Sequence, residues 1–159
     1  MEKIASFQID HLRLKRGIYV SRIDRFGDTV LTTFDLRMKE PNNEPVMDVP
    51  AFHTLEHLGA TFLRSRPDWK DKTVYFGPMG CRTGMYMVLE GGLDSPTVVP
   101  LVQEFLNWVL AYQGEVPGAS AKECGNWRDH NLSMAQWEAR KYLDEVVAHP
   151  KAENLKYPE

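Results

Sequence analysis

The chain has 159 residues, a net charge of −3 and an ordinary balance of apolar and charged side chains, which suits one soluble globular domain over 1–159 and excludes the basic footprint of a nucleic-acid binder. No apolar run is long enough to span a membrane and the first residues lack the apolar stretch of a signal peptide, so a cytoplasmic protein is expected. There the two cysteines, Cys81 and Cys124, are expected as thiols rather than a disulfide.

In chain order, Gly17 to Ile23 and Thr29 to Arg37 read as strands. The second alternates, with Val30, Thr32, Phe34 and Leu36 on one face. Asp24 to Asp28 reads as the hairpin loop between them. A helix is expected from about Pro50 to just before Pro67, with Leu55, Leu58 and Phe62 on its apolar side. Thr73 to Phe76 and Met85 to Glu90 are short strands flanking a glycine-dense loop, Gly77 to Gly84. Ser95-Pro96 reads as a cap and first turn of a helix ending near Gly114, with Val98, Leu101, Val102, Phe105, Val109 and Tyr112 at helical spacing. A loop holding Cys124-Gly125-Asn126 follows. Asn131 reads as the cap of a last helix, Leu132 to Ala148. Residues 151–159 read as a loose polar tail. Antiparallel hairpins beside separate helices make an α+β layer fold: an antiparallel sheet layered with helices, one of them the helix carrying His-x-x-Glu-His.

That helix holds His53-Thr54-Leu55-Glu56-His57-Leu58. Histidines four apart project from one face, one turn apart. Two neutral imidazoles with a carboxylate beside them can hold a divalent metal and a proton-transfer group. The order also matches the inverted zinc-protease motif, in which the glutamate activates a metal-bound water. A third ligand is needed. Cys124 is one candidate, with a small buried hydrophobe as its plain alternative, and His130 is a second, with a surface residue or cap as its alternative. His149 sits where it would complement a helix dipole. Cys81, between Gly80 and Arg82, is either a reactive thiolate or an inert turn residue.

Taken together, several stretches identify a resemblance. Ser6-Phe7 with Asp10-His11, Phe34-Asp35-Leu36-Arg37, the histidine helix, Pro78-Met79-Gly80-Cys81-Arg82-Thr83-Gly84 and Glu123-Cys124-Gly125-Asn126 resemble S-ribosylhomocysteine lyase, the LuxS or autoinducer-2 synthase family, in order and spacing across nearly the whole chain. The resemblance implies an enzyme that cleaves the thioether of S-ribosylhomocysteine to homocysteine and 4,5-dihydroxy-2,3-pentanedione, the autoinducer-2 precursor, by carbonyl migration and then β-elimination. It implies His53, His57 and Cys124 as metal ligands with water in a fourth position, Fe2+ as the metal, and Zn2+ or Co2+ as substitutes. It implies Glu56 and Cys81 as the acid–base pair. It also implies a homodimer with two sites at the interface, in which Ser6, His11 and Arg37 are substrate-site residues that reach the metal from the neighbouring subunit. One departure is plain: the Asp-Ile-Ser of many members is Tyr75-Phe76-Gly77 here, so an aspartate near the substrate has no counterpart. Two rival classes remain: an inverted-motif zinc peptidase, against which the short chain argues, and a non-catalytic metal-binding or dimerisation module with four protein ligands and no open position.

Overall fold

In a computed structural model, which describes Ile4 and residues 7–158, four strands form one antiparallel sheet in the order β1-β2-β4-β3. These are β1 (Gly17–Phe26), β2 (Thr29–Arg37), β3 (Thr73–Pro78) and β4 (Gly84–Glu90). Phe26 lies opposite Thr29, so the first hairpin turns on Gly27-Asp28 alone. The expected loop is shorter because Asp24 and Arg25 still pair, with Leu31 and Val30. A tight turn leaves fewer backbone groups to be satisfied by water.

Alternation divides the sheet into two faces. One carries Ile18, Phe34, Leu36, Phe76, Met85, Met87 and Leu89, all in the core. The other carries Tyr19, Asp35, Arg37, Tyr75, Tyr86 and Val88, which fall at the intervening register positions. Helices α1 (Val49–Ser65), α2 (Ser95–Ala111) and α3 (Leu132–Tyr142) contribute most of the rest, with Met38 and Met47 before α1 and Leu143, Val146 and Val147 after α3. This is the α+β layering that the sequence predicts. No helix among the described residues is long and apolar enough to cross a membrane.

Leu55, Leu58 and Phe62 are buried as their spacing requires. The close approach of α1 to β3 depends on Gly59: a Cβ there would lie 2.1 Å from the Phe76 ring. Helix α2 is capped one residue earlier than expected. Asp94, not Ser95, accepts the Thr97 N–H, at 3.0 Å. Asn131 caps α3 as expected, accepting from the Met134 N–H at 3.0 Å. The last helix does not run evenly to Ala148. It widens into a π turn, Leu143–Val147, where the Ala148 N–H reaches the Leu143 carbonyl. The Gln103 side chain donates to the Val147 carbonyl at 2.8 Å, satisfying a group near the helix end.

Residues 152–158 are packed rather than loose. Asn154 Nδ2 donates to the Arg16 carbonyl at 2.9 Å, and Lys15 pairs with Glu153 at 3.0 Å. The Tyr157 ring stacks on Tyr19 with centroids 4.7 Å apart. Its anchors are polar and aromatic, so no apolar period announced them.

Replacing Gly59 by Ala should drive a methyl group into Phe76. The overpacking should outweigh the gain in helix propensity and lower unfolding free energy by about 1–3 kcal/mol. Urea denaturation at fixed metal content measures it.

Candidate metal centre and thiol pocket

The face of α1 turned from the core carries His53, Glu56 and His57, all half-buried. Each histidine is oriented by a backbone carbonyl. His53 Nδ1 lies 2.9 Å from the Asp129 carbonyl and His57 Nδ1 lies 2.7 Å from the Pro117 carbonyl. A carbonyl only accepts, so both rings carry their proton on Nδ1 and present the Nε2 lone pair. The Pro117 carbonyl is brought there by Gly118, whose φ of 72° suits glycine; a Cβ would sit 3.2 Å from His57 Nδ1.

Cys124 comes from the loop between α2 and α3. Its N–H bonds the Ser120 carbonyl at 3.0 Å, and its sulfur lies 3.5 Å from His53 Nε2. His130 completes the group. Its ring stacks on His53 at 4.1 Å and meets His57 edge-on at 4.7 Å. One donor atom from each of His53, His57, Cys124 and His130 lies within 4.8 Å of the others. Burial first, and then the two neighbouring imidazoles, hold His130 below its ordinary pKa. Neutral imidazoles with a thiol form a donor set that fits a divalent metal of borderline softness. Glu56 lies beside this group, lining a cleft with His57, Ala60, Thr61, Pro117 and Gly118.

Cys81 belongs to a different place. It is exposed at the turn between β3 and β4. The next residue, Arg82, has φ 58°, a strained conformation fixed by its N–H to the Met79 carbonyl and its own carbonyl to the Met47 N–H. Arg37, which by default would be a solvent-facing charge at a strand end, is only 3% exposed. Its Nε and Nη2 grip the Asp35 carboxylate at 3.0 and 2.5 Å. Tyr157 donates to the same carboxylate at 2.8 Å. That leaves Arg37 Nη1 to donate to Thr83 Oγ1 at 2.6 Å and toward Cys81 Sγ at 3.8 Å. Thr83 Oγ1 already accepts from Arg37, so its own proton can go to the sulfur 3.0 Å away. Partial burial pushes the Cys81 thiol up, but Thr83 and the Arg37 guanidinium outweigh it and hold it below the ordinary thiol value. His11, with Nδ1 on the Ile9 carbonyl at 2.9 Å, lines the same pocket of about 190 Å³.

A family model described as S-Ribosylhomocysteinase (LuxS) matches residues 4–153. The chain belongs to the LuxS family. Curated relatives named S-ribosylhomocysteine lyase cover it end to end. The Clostridium beijerinckii protein is 56% identical over 158 residues, 99% of each chain. The Porphyromonas gingivalis protein is 55% identical over 159 residues, all of both chains. The Borrelia garinii protein is 50% identical over 158 residues, 99% of this chain and all of its own.

On this LuxS-family chain the expected residues therefore fall into two groups. His53, Glu56, His57 and Cys124 lie together, joined by His130. Arg37, His11 and Cys81 lie together elsewhere. Ser6 lies outside the described residues. Sequence reading assigned no role to Asp35, Thr83 or Tyr157. The i, i+2 spacing of Asp35 and Arg37 on one strand face was a usable signal for the first; the others come from distant or turn positions.

Thr83→Val keeps the shape and backbone bonds of the turn but removes the hydroxyl. The pH midpoint for alkylation of Cys81 by iodoacetamide should move up, and alkylation at neutral pH should slow. The sign follows from the depressed native pKa: thiolate stabilisation is present above the ordinary thiol value and is lost as pH falls through the lowered one. A midpoint unchanged from wild type would remove Thr83 from this role.

Proposed function

We propose that this chain is a metal-dependent carbon–sulfur lyase, cleaving the thioether of S-ribosylhomocysteine to homocysteine and 4,5-dihydroxy-2,3-pentanedione. The observation that carries this is a four-donor His and Cys group flanked by Glu56, together with a separate thiol whose pKa is held down by Arg37 and Thr83. Relatives at 50–56% identity bear the lyase name over their whole length.

The bond is not hydrolysed. The carbonyl of the opened ribose moves along the chain, and homocysteine leaves by β-elimination. Carbon-bound protons are weakly acidic, so each shift needs a base on the substrate and stabilisation of the charge left behind. A divalent metal held by His53, His57 and Cys124 would supply Lewis acidity for that charge. Cys81 thiolate takes a carbon-bound proton, holds it as the thiol and returns it to the neighbouring carbon, and Arg37 favours the thiolate that starts each transfer. Glu56 takes the proton that begins elimination and moves protons between substrate oxygens. We take Fe2+ as the resident metal, with Zn2+ or Co2+ able to substitute; imidazole and thiolate donors suit all three.

The protein works in this reading as a homodimer with each site shared. The thiol pocket is lined by Asp35, Arg37 and Tyr86, residues of the sheet face opposite to the one that α1 packs against. That separation supports a site in which the metal and Glu56 come from one subunit, and Cys81, Arg37, His11 and Ser6 from its neighbour. Exposed Tyr75 and Phe26, on that same face of the strands, give such an interface apolar area. Tyr75 stands where many members have the aspartate. Two unpaired thiols support a cytoplasmic location, where the product would serve as a signal precursor and homocysteine would re-enter methyl metabolism.

Anaerobically purified protein should release thiol from S-ribosylhomocysteine with turnover, followed with a thiol reagent. Cys81→Ala and Glu56→Gln should abolish release while metal content stays stoichiometric. Cys124→Ala should lose metal first. Full turnover by either of the first two variants would sink their assigned roles.

Mixing the two inactive variants tests the shared site. Random reassortment should restore about a quarter of wild-type activity, since a mixed dimer rebuilds one intact site. No recovery after verified subunit exchange would place Cys81 and Glu56 in the same subunit's site.

A further inference from the structure

Tyr157 stands near the end of the chain and yet lines one pocket with Cys81. Its placement is built in steps. Tyr19 lies directly across from Asp35 in the β1–β2 register. The Tyr157 ring stacks on Tyr19, with centroids 4.7 Å apart and planes 17° from parallel. Tyr19 is fully buried, and its own hydroxyl is taken up by the Lys15 and Glu153 carbonyls, at 3.0 and 3.1 Å. The second of these ties the supporting ring to the same tail. On this support the Tyr157 hydroxyl reaches Asp35 Oδ2 at 2.8 Å. Its proton is committed there, so the Ser21 hydroxyl that also bonds the phenol must donate to it. Burial first, and then the Asp35 charge, push the phenol far above its ordinary pKa, so it keeps its proton and remains a donor.

A guanidinium can grip a carboxylate in two ways. Side-on, it uses Nε and one terminal nitrogen; end-on, it uses both terminal nitrogens. Arg37 holds Asp35 side-on, Nε to Oδ1 at 3.0 Å and Nη2 to Oδ2 at 2.5 Å. That geometry leaves Nη1 for Thr83 Oγ1, at 2.6 Å, and for Cys81 Sγ, at 3.8 Å. An end-on grip would consume it. The choice depends on where Oδ2 stands, and Tyr157 holds Oδ2 from outside the strand. The phenol proton also takes up part of the carboxylate charge, which leaves more of the guanidinium's field for the sulfur.

We propose that Tyr157 is a positioning residue for the Cys81 thiol: through Asp35 it keeps Arg37 in the side-on grip that turns Nη1 to Thr83 and the sulfur. Its effect on turnover rests on the reading of Cys81 as the proton carrier; its effect on the thiol does not. The other charged and titratable groups around the sulfur are Asp35 and Arg37 from β2, Tyr86 from β4 and His11 from the segment before β1. Arg82, in the same turn as Cys81, sends its guanidinium to the Met47 carbonyl at 3.4 Å. A change confined to the Tyr157 hydroxyl leaves all of these in place.

Tyr157→Phe keeps the stacked ring and removes only the hydroxyl. Cys81 is held below the ordinary thiol value, so losing a contributor should raise its pH midpoint for alkylation by iodoacetamide. Alkylation at neutral pH should slow roughly two- to fivefold, with the modified residue assigned by peptide mass because Cys124 is also a thiol. The same variant should lose kcat on S-ribosylhomocysteine at neutral pH with KM unchanged, and regain it as pH rises and thiolate returns. A chain ending at Lys156 loses ring and hydroxyl together and should shift the midpoint at least as far. A wild-type midpoint in either variant overturns the proposal, whatever the turnover. A raised midpoint with full turnover at neutral pH supports it and sinks instead the reading of Cys81 as the proton carrier.

Discussion

Thr54 is fully buried in the first turns of α1, and its hydroxyl makes bonds in three directions. It donates to the Pro50 carbonyl, accepts from the Asn131 N–H at 3.0 Å and lies 3.2 Å from His130 Nδ1. The start of α1, the end of the Cys124 loop and the cap of α3 are thus held to a single oxygen. The Asn131 N–H also reaches the Pro50 carbonyl at 3.3 Å. The loop that carries Cys124 has no strand or helix to place it. Its position relative to His53 and His57 comes from these bonds and from the carbonyls of Asp129 and Pro117. A hydroxyl between His53 and His57 in sequence is therefore a structural centre of the cluster, joined to it through His130 Nδ1.

The opposite face of the sheet is organised by an ion pair instead of a hydroxyl. Asp35 and Arg37 are 1% and 3% exposed. Burying such charges is tolerable only with near-complete hydrogen bonding. Here the carboxylate receives two guanidinium bonds and the Tyr157 hydroxyl, and the guanidinium's remaining nitrogen serves Thr83 and Cys81. Asp35 raises the Arg37 pKa against the effect of burial, so the cation beside the thiol is permanent. The thiol pocket thus takes its charge from the strand interior, where it is screened little by salt.

Much of this was legible in the sequence where periodicity governs. The apolar side of α1, the alternation of β2 and the Asn131 cap all follow from local rules, and the histidine pair with Glu56 follows from helical spacing. The cap of α2 slipped by one because Asp94 and Ser95 are both good caps and only the geometry chooses between them. The π turn at Leu143–Val147 left no trace in the pattern, since its apolar residues also suit a regular helix. The packing of Tyr157 on Tyr19 and Asp35 joins residues more than a hundred positions apart, and nothing local encodes it. The motif signature pointed to Cys81 and Arg37 as participants, but the reason they belong together, a shared Thr83 hydroxyl and a guanidinium with one nitrogen to spare, is a three-dimensional fact.

The tail's packing also bears on how the molecule tolerates additions. Phe7, Ile9 and His11 from the beginning of the chain and Tyr157 from its end line one pocket with Cys81, whereas every donor in the metal cluster comes from the middle. A fusion partner, an affinity tag or a nick by an exopeptidase at either terminus would meet the thiol half of the chemistry first. The group of His53, His57, Cys124 and His130 makes none of its contacts to either terminus. In the proposed mechanism, preparations trimmed at the ends would keep that group and lose the surroundings of Cys81.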